Sequence, residues 1–181
     1  MIKLNLGCAD RLMDGYINID KYPNDYPLVR SLILPADVMS LPFGDETVDE
    51  VYSSHLLEHL TYNEILEKAM PEWMRVLKPE GTFVVVVPNM GMIAKLWLQE
   101  KDINKKIGYW NCAIYGSFRG TEQYHKSSWD PQLLGSLFHT YGLVDIQLTA
   151  FEYIFWLKGV GHKPKKVIGV ENDPIIQNQN P

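Results

Sequence analysis

The segment LNLGCADRLMDGYINID, residues 4–20, places two short apolar runs on either side of a loop that opens with a glycine. Ile2 to Leu6 reads as a strand, and Tyr16 to Ile19 as a second strand ending at Asp20. Parallel strands need about a dozen or more connecting residues when a helix crosses between them. Residues 7–15 fall short of that, so the spacing predicts a single helical turn or a displaced second strand. A glycine after one strand and an aspartate after the next outline a nucleotide-like site. The G-x-G-x-x-G run of dinucleotide folds is missing, which argues against NAD or FAD.

Outward from this segment the chain alternates. Leu32 to Leu34 and Val48 to Tyr52 read as further strands. Thr61 and Glu64 match a capping box at the head of TYNEILEKAMPEWMRVLK, a helix interrupted near Pro71. FVVVV, residues 83–87, fits a strand covered on both faces. From residue 90 to 129 the periodicity weakens into short helical pieces around Ile93 to Lys101 and an aromatic stretch. Asp130 and Pro131 start a helix that Gly142 stops. Val144 to Leu148 and Tyr153 to Leu157 are spaced to pair antiparallel, and the end of the chain reads as a loose tail. The pattern predicts one α/β domain built on a mixed sheet with helices on its faces. Ligands in such a sheet gather at the carboxyl ends of the strands. Gly7, Asp20, Asp37, His55 and Asn89 all fall there, around one cleft.

Composition narrows the classes. The 181 residues suit one domain, and a chain of this size buries roughly 70% of its unfolded surface. A net charge of -5 offers no broad positive field, so nucleic acid is not an expected partner. Cys8 and Cys112 make neither a zinc spacing nor a disulfide scaffold. No signal peptide or 18-residue apolar span appears, so the expectation is a cytoplasmic protein without membrane insertion.

Single residues admit two readings. Gly7 permits a tight turn or a close backbone approach to a ligand. Asp20 either ends a strand in water or accepts two hydrogen bonds from a ribose diol. Asp37 either caps the turn after it or accepts from an exocyclic amine. HLLEH, residues 55–59, matches H-x-x-E-H, in which His55, Glu58 and His59 on a helix would serve a zinc hydrolase. That alternative needs a third ligand, for which Glu122 is one candidate. The competing reading is a strand, VDEVYSS, that runs into a ligand loop with His55 at its mouth. Trp97, Tyr109, Trp110, Tyr115, Phe118, Arg119, Tyr124, His125 and Trp129 either form an aromatic lid over the site or pack on the sheet edge.

LNLGCA, INID, ADVMSLPFGDETVDEVYSSHLLEHL, WMRVLKPEGTFVVVVPN and, more weakly, YGLVDI resemble the class I S-adenosylmethionine-dependent methyltransferases, in particular the small enzymes of the type 11 group. The resemblance spans residues 2–158 and is strongest over 36–89. It implies a mostly parallel Rossmann-like sheet of seven strands in the order 3-2-1-4-5-7-6, with an antiparallel last strand. It also implies a methyltransferase domain over 1–160, with a substrate-facing insertion at 90–129 and a tail at 161–181.

The implied cofactor is S-adenosyl-L-methionine, with no metal. Gly7, Cys8 and Ala9 would approach its methionine part, Asp20 the ribose, and Asp37 with Val38 the adenine, while Ser54 and His55 line the pocket. His125, in YHKSSW, and His55 would act on a small-molecule or saccharide-like acceptor, whose oxygen or nitrogen takes the methyl group. The chain departs from the family's G-x-G-x-G loop by carrying Ala9 at the second glycine position, and the N-terminal helix that often closes the site is not expected in it. A protein that binds the cofactor without turnover is the alternative from another class.

Overall fold

The computed structural model describes residues 1–117, 123–151 and 155–165. Seven strands form one sheet: β1 (Lys3–Leu6), β2 (Ile17–Asp20), β3 (Ile33–Pro35), β4 (Val48–Ser54), β5 (Leu77–Pro88), β6 (Val144–Phe151) and β7 (Trp156–His162). Their order is β3-β2-β1-β4-β5-β7-β6, as the resemblance implied. β1 to β5 run parallel, and β7 runs antiparallel to both β5 and β6. In this register Leu6 stands beside Ile19 on one side and Ser53 on the other, so the three strand ends are level.

The core follows from β5. Phe83, Val85 and Val87 are fully buried, and Val84 and Val86 on the opposite face are nearly so, which explains a run with no polar alternation. Phe83 lies between Trp73 (ring centroids 5.8 Å) and Phe138 (5.3 Å). Trp73 comes from the helix headed by Thr61. There the expected capping box forms: Glu64 N–H donates to Thr61 Oγ1 (3.2 Å) and Thr61 N–H to Glu64 Oε2 (2.8 Å). Tyr62–Glu64 leads into a wide π turn, Ile65–Ala69, and then Met70–Val76. The widened turn sits just before Pro71, which has no N–H to give the regular ladder. Phe138 comes from the Pro131–Thr140 helix, capped by Asp130 and ended at Gly142, which takes φ +68°. Its ring rests on Gly159, where a Cβ would lie 2.8 Å from Phe138 Cζ.

Two strand positions differ from expectation. β6 continues to Phe151, and β7 occupies Trp156–His162 rather than starting at Tyr153, which lies outside the described residues. The glycines of LKGVGH make room for Phe138 and Leu143. The strand therefore runs past residue 160, and Lys163 Nζ donates to the Met74 and Leu77 carbonyls (2.9 and 2.8 Å). The short connection after β1 has no helix. Asn5 and Asn18, paired across β1 and β2, bond each other (2.8 Å) and hold the loop through the Arg11 carbonyl (3.0 Å) and the Met13 N–H (2.9 Å). Both asparagines are buried, so the loop itself covers this face of the sheet. Among the described residues no helix is long and apolar enough to cross a membrane.

Candidate functional site

A cavity of about 1010 Å³ opens at the carboxyl ends of the parallel strands. Gly7 after β1, Asp20 at the end of β2, Asp37 and Val38 after β3, and His55 after β4 all line it, together with Ala9 and His125. Cys8 and Ser54 do not line it. Cys8 is buried with its N–H on the Ile19 carbonyl, and burial, with Asp20 adding to it, pushes its thiol up to about 12. Ser54 is the last residue of β4.

Each strand end is shaped by its sequence. Gly7 has φ +64°, and a Cβ there would meet Leu56 at 2.8 Å, so the tight turn and the close approach both require glycine. The Ala9 N–H donates to Asp20 Oδ2 (3.0 Å) and the Tyr22 N–H to Oδ1 (2.9 Å). The carboxylate is thereby locked in place by two loops. Asp37 Oδ1 accepts from the Met39 N–H (2.9 Å), and Oδ2 pairs with Lys21 (3.0 Å). Burial alone would raise this carboxyl, but the Met39 N–H and Lys21 outweigh it and hold Asp37 below its ordinary value. His55 has φ +53° and stands edge-on to Trp156 of β7 (4.7 Å). Its Nδ1 is 3.1 Å from Glu58 Oε1.

Comparisons with known proteins bear on this geometry. A family model described as a methyltransferase domain, of the type 11 group, matches residues 16–85. A SAM-dependent methyltransferase from Archaeoglobus fulgidus superposes with a TM-score of 0.65 at 16% identity, over 89% of this chain and 85% of that one. One from Methanosarcina mazei gives the same TM-score and identity, over 91% and 92%. The chain has a class I S-adenosylmethionine-dependent methyltransferase fold. The 1,6-didemethyltoxoflavin-N1-methyltransferase of Burkholderia thailandensis, solved with 1,6-didemethyltoxoflavin and S-adenosylhomocysteine, superposes at a TM-score of 0.58 and 13% identity, over 91% of this chain and 71% of that one. Among curated sequences, the sterol 4-C-methyltransferase strm-1 of Caenorhabditis elegans is 38% identical over 72 residues, which is 40% of this chain and 21% of that protein. An uncharacterised protein of Methanocaldococcus jannaschii is 40% identical over 60 residues, 33% of this chain and 25% of its own length. The matches thus span about a quarter or less of those two relatives.

Ala9, which the family resemblance puts at the second glycine position, takes φ +49°. A left-handed alanine costs about 1 kcal/mol, and the hydrogen bond to Asp20 offsets it. The stretch at 90–129 divides between the two roles open to it. Tyr109, Cys112, Ala113, Gly116, Gln123 and His125 line the cavity, whereas Trp110 and Trp129 are buried in packing. Phe118, Arg119 and Glu122 lie outside the described residues.

HLLEH does not form an α-helix. Leu57–His59 is a single 3-10 turn, so His55 faces Glu58 at i+3 rather than His59 at i+4. His59 instead meets His125, with ring centroids 5.1 Å apart. Burial holds the His125 imidazolium below its ordinary pKa, against the opposing pull of Glu58. Sequence reasoning missed Tyr22, Tyr26, Leu56 and Trp156 as cavity residues. The only signal for the two tyrosines was their place just after Asp20; Trp156 arrives through sheet pairing with Pro88, which no local pattern encodes.

Proposed function

We propose that the chain transfers a methyl group from S-adenosyl-L-methionine to an oxygen or nitrogen of a small-molecule or saccharide-like acceptor. The convergence of Gly7, Asp20, Asp37 and His55 on one cavity, at the ends of adjacent parallel strands, carries this reading. Each Asp20 oxygen accepts one backbone N–H and keeps one lone pair, so the carboxylate offers a fixed double acceptor for a ribose diol. Gly7 and Ala9, with the Cys8 backbone between them, would lie against the methionine part. Asp37 and Val38 would flank the adenine, and His55, which follows Ser54 at the end of β4, would form the wall on that side.

Bound there, the cofactor supplies a sulfonium methyl with a neutral thioether as leaving group. The chain's task is then to hold donor and acceptor in line at close distance, which supplies much of the rate. We assign His55 and His125 to the acceptor, as groups whose ring nitrogens accept a hydrogen bond from its O–H or N–H. His55 Nε2 is buried without a partner among the described residues, in keeping with that role. On this reading residues 1–160 are the methyltransferase domain and 90–129 select the acceptor. Cofactor binding without turnover is the second reading, and it is favoured by Ala9 at the second glycine position.

Calorimetry with S-adenosylmethionine and S-adenosylhomocysteine, followed by an acceptor screen for the demethylated product, tests both. Binding with turnover is the expected result. Binding with no turnover on any acceptor selects the second reading, and no binding of either form overturns both.

A further inference from the structure

The HLLEH turn and the YHKSSW segment are laced together beside the cavity. The Lys126 and Ser127 N–H groups donate to the Glu58 carbonyl (2.7 and 3.1 Å), and Ser127 Oγ donates to the Leu57 carbonyl (3.0 Å). His125 is thereby held against His59 although the two are far apart in sequence. The hydrogen bonds also fix which ring nitrogen is open. His59 Nδ1 is 3.2 Å from the Tyr124 carbonyl oxygen, and His125 Nδ1 is 3.1 Å from that of Ile114. A carbonyl only accepts, so each Nδ1 carries a hydrogen and the lone pair of the neutral ring sits on Nε2. Histidines that bind metals are oriented in this way, their second nitrogen donating to a carbonyl or carboxylate.

The third member is an acid. Glu58 is 2% exposed, and its Oε2 has no partner among the described residues. A buried carboxylate oxygen left unpaired is costly, and a cation removes that cost. One ligand atom from each of Glu58, His59 and His125 lies within 4.8 Å of the others, and all three residues line the cavity.

We propose that Glu58, His59 and His125 bind a divalent transition-metal ion, with its remaining positions open toward the cavity. Two imidazoles and one carboxylate with open positions suit zinc, iron(II) or cobalt(II). Metal–nitrogen bonds of about 2.1 Å place tetrahedral ligands roughly 3.4 Å apart, so no pair has to close by more than about 1.4 Å on binding. The set differs from the one the H-x-x-E-H spacing suggested, because His55 supports Glu58 instead of ligating. If methyl transfer is the activity, the acceptor's oxygen or nitrogen meets the ion rather than the His125 ring, a consequence that rests on that reading. Ion binding itself does not.

The test therefore uses the metal alone, without cofactor or acceptor. The full chain is stripped with a chelator and titrated with Co²⁺, following the visible d–d absorption and the melting temperature, with Zn²⁺ as competitor. One Co²⁺ per chain is expected, with a raised melting temperature, and displacement by one equivalent of Zn²⁺. His59→Ala and His125→Ala should each weaken Co²⁺ affinity at least tenfold, while His139→Gln, at an exposed helix position, should leave it unchanged. Glu58→Gln adds the third arm where it folds; the two histidine variants decide the matter without it. No absorption band at stoichiometric Co²⁺, or a band that survives in both histidine variants, overturns the proposal. S-adenosylmethionine calorimetry on the same samples keeps a failure of the metal site distinct from a failure of the methyl-transfer reading.

Discussion

Asp20 shows how one carboxylate serves two purposes. Its oxygens take the Ala9 and Tyr22 N–H groups, so it ties the loop after β1 to the turn after β2 before any ligand arrives. Asp20→Asn keeps the shape but puts an amide N–H₂ where one of those donors points. We expect cofactor affinity to fall by roughly 5- to 150-fold, or about 1–3 kcal/mol, with a small drop in melting temperature. Calorimetry on the folded variant checks this, and unchanged affinity would remove Asp20 from the site. Residues at strand ends were legible in advance because the alternation of the chain locates carboxyl ends without any knowledge of side-chain geometry. The partnership of His59 with His125 was not. HLLEH invites an i, i+4 reading that holds only on an α-helix, and the chain makes a 3-10 turn there.

At the scale of elements, the helix that carries Trp73 is clamped to the loop after β3 by a charged fork. Arg75 donates Nε to Glu72 Oε2 (2.8 Å) and Nη2 to Oε1 (2.7 Å), while Nη1 reaches the Phe43 carbonyl (2.9 Å). The Leu41 N–H also donates to Glu72 Oε1 (2.6 Å). Chiefly through Arg75, and against a burial penalty, the Glu72 carboxyl is held below its ordinary 4.5. A carboxyl depressed in the folded state adds stability that is present above its unfolded pKa and lost as pH falls through the folded one. Glu72→Gln should therefore cost about 1–3 kcal/mol near pH 7, and the gap to the parent should narrow once the pH drops below 4.5. Urea unfolding at both pH values measures it; a gap independent of pH would show that the charge contributes nothing. Capping residues and the Pro71 interruption were readable because they act locally. The extension of β7 to His162 was not, because its glycines answer to Phe138, on a different element.

For the whole molecule, the strand order was legible only through family resemblance, since local pattern gives strands but not neighbours. The connection after β1 is the part that pattern did constrain: residues 7–15 are too few for a crossover helix, and the chain instead lays that loop over Asn5 and Asn18. One end of the sheet is thus roofed by polar hydrogen bonds, whereas β5 is sealed by apolar packing on both faces and by strands on both sides. Amide protons should report this asymmetry. Regions with few apolar contacts open in small cooperative units at low free energy, and the core opens only with the whole domain. In native-state hydrogen exchange, the amides of Phe83 to Val87 should exchange last, with the protection of global unfolding. Those of β2 and β3 should exchange earlier and together, through an opening that peels the edge of the sheet away while the rest stays folded. Uniform protection from β3 to β5 would mean that the loop roof is as strong as the core, and the two ends would then form one unit.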